Sequence, residues 1–305
     1  MQFRKVTFEN RNRIDGILKL YGGNSCQYSV AQMIGLNAKY GDEFCEVDDA
    51  VVIHRRGLDN AEKRVYLAPV GPMKDIKKYI DMIVCDACEY SKKVSFEPIT
   101  VEFAKILEEE YPNQFTISQE RDLAEYIYSA RKMYELSGRS LASKRNRIHS
   151  FQAAYDPEEV FVEVIGEDNI EDVRVFQNEW LAERNSYEND VRLDIENQAI
   201  MTYLDHYDEL GFEGIVIYVN GDVVGYAAGV PLSDECIDEV IEKGRRDIIG
   251  IYQVVCMEFA KMAHAKYRYI NREEDLGIAG LRRAKESYHP DYLIEKCIAI
   301  SKEKR

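Results

Sequence analysis

The sequence contains no apolar run close to the roughly 18 residues that a membrane-spanning helix needs. Its first residues, MQFRKVTFENRNR, also lack the apolar segment of a secretory signal peptide. Both absences argue against a membrane-embedded or a secreted protein. We therefore expect a cytoplasmic protein without integral membrane contact.

Metal-binding patterns are missing as well. The five histidines show no HxxxH or HExxH spacing, and Cys85 and Cys88 form a lone CxxC without the second Cys or His pair of a zinc site. The seven cysteines are odd in number and scattered through segments that we expect in the core, which indicates a reducing compartment. We predict no metal site and no tightly bound cofactor.

Positive charge is in the minority, since 40 Lys and Arg residues face 55 Asp and Glu residues and the net charge is −15. Nucleic acids and anionic membranes are polyanions that attract clustered cations, so a broad surface for either is excluded. One basic stretch, RKMYELSGRSLASKRNRIH, is an exception. It could contact the acceptor stem of a charged tRNA, contact an anionic lipid or phosphate, or form a solvated helix between domains. The first two interpretations assign the phosphate contacts to Lys144, Arg145, Asn146 and Arg147.

The composition is that of a globular protein with two domains. Hydrophobic residues make up 46% of the 305 positions, enough for a large core, and the length suits two domains of roughly 150 residues. Both halves show the same predicted order of three strands, a helix, a strand, a helix and a strand. We expect domains over residues 1–150 and 151–305, in an α/β fold with mixed sheets. The strongest local signal is Asn220-Gly221, which predicts a type I′ hairpin turn.

A dense group of polar residues follows a short predicted strand, in the stretch YINREEDLGIAGLRRAKESYHP from Tyr269 to Pro290. Ligands of open α/β sheets bind beyond the carboxyl ends of strands. We therefore expect the functional site at this junction between a strand and a helix.

This stretch, together with Gly250-Ile-Tyr-Gln253 and Glu258-Phe-Ala260, resembles the soluble relatives of the C-terminal domain of bacterial phosphatidylglycerol lysyltransferase. The resemblance covers nearly the whole chain and implies a tandem duplicated GNAT-like fold, that of the acyl-CoA N-acyltransferases. It also implies that the second half carries the active site and that the first half is a degenerate copy. Within Ser233–Gly244 the apolar spacing favours a helix, but the implied fold needs a strand there, and we predict the strand.

GNAT-type enzymes transfer an acyl group by positioning the reactants and stabilising the oxyanion. The resemblance implies that the helix after Gly250 faces the phosphates of the acyl carrier. Users of acetyl-CoA usually show Arg or Gln, two residues, Gly, one residue, then Gly or Ala, whereas Asp247 and Tyr252 fill the outer positions here. This departure favours aminoacyl-tRNA over acyl-CoA as co-substrate, with an amine or a hydroxyl as acceptor.

Similarity to the Fem-type aminoacyltransferases implies that Lys285 contacts the carrier phosphate or the transition state. We assign proton donation to Tyr288 and complete the predicted catalytic set with Asn271. We predict substrate contacts from the strand end and the helix start: Arg272, Glu273, Glu274, Asp275, Gln253 and Gly250. The carboxylates would hold an ammonium group of the transferred amino acid, unless the charge run is an ordinary solvated loop.

Three functions stay open. We prefer an aminoacyl- or acyltransferase with an activated ester as donor. The alternatives are an acyl-CoA-dependent N-acyltransferase and a non-catalytic, GNAT-shaped ligand-binding protein. The sequence assigns no oligomeric state.

Overall fold

The computed structural model describes residues 1–185 and 191–302 and groups the chain into two compact units. Unit 1 comprises Met1–Glu125, Glu274–Ala279 and Leu293–Arg305, and unit 2 comprises Tyr126–Glu273 and Gly280–Tyr292. These units differ from the expected domains, because residues 126–150 group with unit 2 while residues 274–279 and 293–305 group with unit 1.

The helices of the described residues share no common length and range from one turn to more than four. They are α1 Asn12–Tyr21, α2 Val30–Gly35, α3 Asn37–Tyr40, α4 Ile76–Glu89, α5 Val101–Glu110, α6 Ala130–Glu135, α7 Ala142–Ala154, α8 Ile170–Asn185, α9 Val191–Asp205, α10 Ile251–His264 and α11 Ala279–Glu286. None of these helices combines the length and the apolar character that a bilayer crossing requires.

The strands are mostly short. They are β1 Arg4–Lys5, β2 Asp42–Val47, β3 Ala50–Arg55, β4 Lys63–Tyr66, β5 Lys93–Thr100, β6 Phe115–Gln119, β7 Glu125–Ser129, β8 Val160–Val164, β9 Glu213–Val219, β10 Asp222–Ser233, β11 Cys236–Gly244, β12 Tyr269–Asn271, β13 Tyr292–Ile294 and β14 Lys296–Ser301.

Among the described residues each unit holds one seven-stranded sheet, and the two strand orders correspond position by position. The sheet of unit 1 runs β1-β2-β3-β4-β5-β14-β6, and that of unit 2 runs β8-β9-β10-β11-β12-β7-β13. Each contains a parallel pair, β4 with β5 and β11 with β12, among antiparallel neighbours. The predicted α/β class with mixed sheets and the predicted duplication are confirmed.

The sixth position of each sheet is filled by a strand from a distant part of the sequence. In unit 1 this strand is β14, which pairs with both β5 and β6. In unit 2 it is β7, which precedes every other strand of its sheet in the sequence. The sheet of unit 2 therefore uses the consecutive strands β7 to β13, whereas the sheet of unit 1 takes β14 from beyond all of them.

Two local predictions are confirmed. Asn220 and Gly221 have positive φ angles of 54° and 85°, as a type I′ turn requires, and they join β9 to β10 with Val219 opposite Asp222. The segment that was ambiguous between helix and strand forms β11.

The core of unit 1 lies between its sheet and the helices α4 and α5. Phe96 of β5 packs its ring against Phe103 and Phe115, at centroid distances of 5.5 and 5.9 Å. In unit 2, α10 buries an apolar face against the sheet through residues such as Val255 and Phe259.

The cysteines are only partly in the core. Cys26, Cys236, Cys256 and Cys297 are buried, and Cys45 is half-buried. The CxxC pair, Cys85 and Cys88, lies exposed on α4, which corrects the expectation that all seven are core residues.

Candidate functional site

The central strands of unit 2 separate after a short stretch of pairing. Strand β11 pairs in parallel with β12 only from Cys236 to Asp238, opposite Tyr269 to Asn271. Beyond this point β12 ends, while β11 continues to Gly244 along β10. The chain that leaves β12 therefore enters the space beside the second half of β11.

Strand β11 carries a bulge at the point of separation. Ala228 of β10 lies opposite Ile241 and the next residue, Gly229, lies opposite Glu239, so Val240 is an extra residue. Bulges redirect side chains and are frequent next to functional sites. Here Glu239 and Glu242, three residues apart, reach the same partner in spite of the two-residue period of a strand.

That partner is Arg272, the first residue after β12. Its Nε lies 2.5 Å from an oxygen of Glu239, and its Nη2 contacts Glu242. The planar guanidinium suits two acceptors at once, so it fixes both carboxylates at the separation of the strands. Glu239 is 6% exposed, so the pair with Arg272 is nearly withdrawn from water.

Lys285 of α11 reaches the same turn. Its Nζ donates a hydrogen bond to the backbone oxygen of Arg272 at 2.5 Å and lies 5.7 Å from the ring centroid of Tyr126. The backbone oxygen of Lys285 in turn accepts from the Tyr128 hydroxyl at 2.8 Å. Lys285 thus orders the turn that holds Arg272, and it is buried, with 8% exposure.

Tyr288, two residues after the end of α11, and the buried Cys256 of α10 join the cluster. The ring of Tyr288 has the Arg272 guanidinium carbon 5.4 Å from its centroid. Lys144 of α7 lies near the same ring, with its Nζ 4.1 Å from the centroid and 2.6 Å from the Ser287 hydroxyl oxygen. Residues from five elements of unit 2 therefore meet at one buried point.

The electrostatics of the cluster follow from its burial. Burial raises the pKa of the Glu239 carboxyl, although the adjacent Arg272 acts in the opposite direction. Burial also raises the pKa of the Tyr288 hydroxyl, so this group keeps its proton at neutral pH. For Lys144, burial lowers the pKa, and the charge of Arg272 adds to the effect while Cys256 opposes it.

The predicted strand-end residues divide between the two units. Asn271 is fully buried, and its side-chain oxygen accepts a hydrogen bond from the Glu273 backbone N–H at 2.7 Å. Glu274 and Asp275 belong to unit 1, where Asp275 pairs with Arg121 at 3.2 Å. The structure therefore brings Asn271 and Arg272 to the cluster of unit 2 but not the Asp275 carboxylate.

Gly250 immediately precedes α10, has a φ of 83° and lies against α7. A Cβ atom at this position would stand 2.2 Å from the Arg147 backbone oxygen. The N–H groups of Gln253 and Val254 already donate to the Gly250 oxygen. Gln253 is half-buried in the first turn of α10.

We expect Gly250→Ala to destabilise the protein by more than about 2 kcal/mol, since left-handed strain costs about 1–2 kcal/mol and α7 must also move. Gly211→Ala is the matched control, because Gly211 has a φ of 72° but no atom within 4 Å of the added Cβ. Urea denaturation of both variants measures the difference. Equal losses of stability would show that the contact of the added Cβ atom with α7 costs no free energy beyond the left-handed backbone strain.

The predicted phosphate-contact residues on α7 do not form one surface. Lys144 points to Tyr288, as described, and Arg145 donates to the backbone oxygens of Leu136 and Gly138. Asn146 and Arg147 are exposed. The structure thus separates these four residues into an inward and an outward group.

The sequence analysis missed Glu239, Glu242 and Cys256. Glu239 and Glu242 lie in the segment that was assigned as a strand from the implied fold, and Cys256 lies on the helix for which only Gly250 and Gln253 were predicted as contacts. The sequence did contain a signal for this pairing. Glu239 and Glu242 lie in a predicted central strand, where buried acids need a cation as partner, and Arg272 follows the neighbouring strand.

Unit 1 contains a second buried charged cluster that the sequence analysis also missed. The Nζ of Lys296 lies 2.5 Å from a carboxylate oxygen of Glu125 and 2.7 Å from the Ser25 hydroxyl. The other carboxylate oxygen accepts from the Cys26 backbone N–H at 2.9 Å. The ions are almost completely buried, with Lys296 1% and Glu125 0% exposed.

The duplicated sheets, with a bulged and separated central strand in unit 2, define an acyltransferase-like domain with a tandem GNAT-type fold. The chain matches the family model "Phosphatidylglycerol lysyltransferase, C-terminal" over residues 18–300, and it belongs to this family. The predicted resemblance is thereby confirmed.

Solved structures agree on the fold. A conserved protein of unknown function from Bacteroides thetaiotaomicron is 29% identical, with a TM-score of 0.91 over 99% of this chain and 100% of its own. The C-terminal domain of a putative lysylphosphatidylglycerol synthetase from Agrobacterium fabrum is 14% identical, with a TM-score of 0.67 over 97% of this chain and 92% of its own. L-PGS from Bacillus licheniformis is 15% identical, with a TM-score of 0.65 over 96% and 92%.

A curated relative is known only as an uncharacterised protein from Mycoplasmoides gallisepticum. It is 22% identical over 174 residues, which are 56% of this chain and 54% of that protein. The match thus spans about half the length of the curated relative.

Proposed function

We propose that unit 2 transfers an aminoacyl group from an activated ester to an amine or hydroxyl acceptor. The single observation that carries this proposal is the buried cluster of Arg272, Glu239, Lys285 and Tyr288 where β11 and β12 separate. Ionised groups fixed away from water are expensive to maintain, and such clusters are frequent where charge develops in a reaction.

The reaction needs an attacking acceptor, a residue that transfers protons, and positive or hydrogen-bonding groups that stabilise the oxyanion. The acceptor attacks the ester carbonyl, a new C–N or C–O bond forms, and the bond to the carrier oxygen breaks. Tyr288 gives its proton to the departing oxygen and takes up the proton that the acceptor releases. The charges of Arg272 and Lys285, with backbone groups freed at the Val240 bulge, would stabilise the oxyanion.

The start of α10 supports an ester donor rather than a diphosphate-containing one such as acyl-CoA. A diphosphate needs free N–H groups at a helix N-terminus. Here the Arg147 backbone oxygen lies against Gly250, and the first-turn N–H group of Gln253 is already bonded. A charged tRNA, which would meet the enzyme in the cytoplasm, needs no diphosphate site.

The family name supports an aminoacyl donor, because lysyltransferases transfer an amino acid. Two relatives with the same fold carry names of lysylphosphatidylglycerol synthesis. Those names belong to the relatives, and the acceptor of this chain remains a proposal limited to its chemical class.

A transfer assay tests the proposal. We expect purified protein to move a labelled amino acid from charged tRNA to one member of a panel of amines and hydroxyls, detected by mass spectrometry. Tyr288→Phe should slow the transfer by about 10²–10⁴-fold, because proton donation is lost. Tyr134→Phe, a change on the exposed side of α6, is the control.

Two outcomes contradict this function. Transfer and a thermal shift with acyl-CoA, without either for charged tRNA, would assign a CoA donor. A cellular effect that survives the combined replacement of Lys285 and Asn271 would instead indicate the non-catalytic, ligand-binding alternative.

A further inference from the structure

Lys144 differs from the other cations of the cluster in its partners. Arg272 is paired with two carboxylates. Within residues 1–185 and 191–302, no carboxylate lies at ion-pair distance from the Lys144 ammonium. Its contacts are the Ser287 hydroxyl and the face of the Tyr288 ring. A half-buried ammonium normally has a negatively charged partner, so this one lacks its counter-ion.

The neighbouring groups are arranged to hold the ammonium in place. Ser287 donates its own proton to the Ala284 oxygen at 2.6 Å, so its lone pair faces Lys144. The face of the Tyr288 ring attracts the same ammonium weakly through a cation–π interaction. Ser287 and the Tyr288 ring thus account for two of the three N–H bonds of Lys144, and the ammonium can donate one more hydrogen bond.

We propose that Lys144 binds a singly charged phosphodiester group of the acyl donor. This inference rests on the proposed function and names the part of the donor that the site holds. An ammonium is a point charge that suits a phosphate oxygen, whereas a carboxylate is better held by the two parallel donors of a guanidinium. The guanidinium of this cluster, Arg272, is already paired with Glu239 and Glu242. The 3′ end of an RNA supplies a phosphodiester near its ester bond.

The electrostatics give this binding a pH dependence. Burial lowers the pKa of Lys144, and a bound anion would raise it again. The groups that face Lys144 are Arg272, Cys256 of α10 and Tyr288, which follows α11. All three have raised pKa values, so they keep their protonation state in mildly alkaline solution. Phosphodiester binding should therefore weaken as the pH rises through the lowered pKa of Lys144 and the ammonium loses its proton.

Dimethyl phosphate is the first probe, and its binding to the full chain is measured by ³¹P NMR without any turnover. We expect saturable binding at pH 7 that Lys144→Met weakens by about 10- to 100-fold, the value of one charge-assisted hydrogen bond. Lys144→Arg keeps the charge and should bind close to wild type. Lys261→Met, on the exposed side of α10, is the control.

A second comparison identifies the source of the group. A trinucleotide should bind with the same dependence on Lys144, whereas preference for a glycerophosphodiester would assign the group to a lipid and overturn the RNA assignment. Ser287→Ala, which removes one contact but keeps the ammonium, guards against a merely structural effect and should change the affinity less than Lys144→Met.

Two results would overturn the proposal. One is equal affinity of wild type and Lys144→Met for dimethyl phosphate, which would place the anion elsewhere. The other is loss of transferase activity in Lys144→Arg with unchanged phosphodiester affinity, which would make Lys144 a proton acceptor. Absence of transfer in every assay, with Lys144-dependent phosphodiester binding intact, would refute the function and leave the binding site standing.

Discussion

Replacement of Lys296 by methionine is expected to lower the free energy of unfolding by about 3–5 kcal/mol, the cost of leaving a buried charge without its partner. The charge left behind is Glu125, which is fully buried in unit 1. Ser25 and the Cys26 N–H remain as hydrogen-bond donors, but neither carries a charge. Chemical denaturation measures the loss.

Two further variants make this experiment specific. Lys105→Met, on the exposed side of α5, should stay within about 0.5 kcal/mol of wild type. The double variant Glu125→Gln with Lys296→Met should be more stable than Lys296→Met alone, because no unpaired ion remains. If the double variant is the less stable one, the unpaired carboxylate is not the source of the loss.

The same pair has a defined pH dependence. Burial opposes the ionisation of Glu125, but Lys296, Ser25 and the Cys26 N–H outweigh it and lower the pKa of the carboxyl. A lowered pKa gives stability that is present above the unfolded value, about 4.3, and that is lost as the pH falls through the folded value. The penalty of Lys296→Met should therefore shrink in acid, where Glu125 takes up a proton.

Replacement of Arg272 by methionine should have a comparable effect on stability and a larger one on activity. It removes the cation that pairs with both Glu239 and Glu242, which again costs about 3–5 kcal/mol. It also removes a charge from the proposed oxyanion site, for which a loss of about 10²–10³-fold in rate is typical. Denaturation and the transfer assay measure the two effects separately.

A second replacement separates the structural from the catalytic part. Adding Glu239→Gln to Arg272→Met removes the buried carboxylate and should restore part of the stability without restoring transfer. Arg268→Met, an exposed change immediately before β12, should alter neither property. Recovery of activity together with stability would mean that Arg272 acts only through the fold.

The sequence predicted those features of the fold that local chemistry determines. The Asn220-Gly221 turn needs only two residues with positive φ angles, so the hairpin was predictable without knowledge of the rest of the chain. The segment that forms β11 shows the limit of such reasoning. Its apolar spacing favours a helix, but Cys236 and Ile237 are both buried in the middle of a sheet, and that burial determines the strand.

The site was predictable only in part, for a similar reason. The polar run after β12 indicated Arg272, Lys285 and Tyr288, and the structure places all three in one cluster. Their carboxylate partners were hidden because the spacing of Glu239 and Glu242 makes sense only with the bulge. Whether these residues act on a substrate stays a prediction.

The position of β14 also has a consequence for synthesis of the protein on the ribosome. This strand is made after all the other described strands, yet it lies between β5 and β6, which are made before residue 120. Until β14 has been made, these two strands lack their shared neighbour, and their backbone edges stay open to wrong partners. Unit 1 therefore completes its sheet only after the strands of unit 2 have been made, and a stop codon upstream of β14 would damage the fold of the amino-terminal unit.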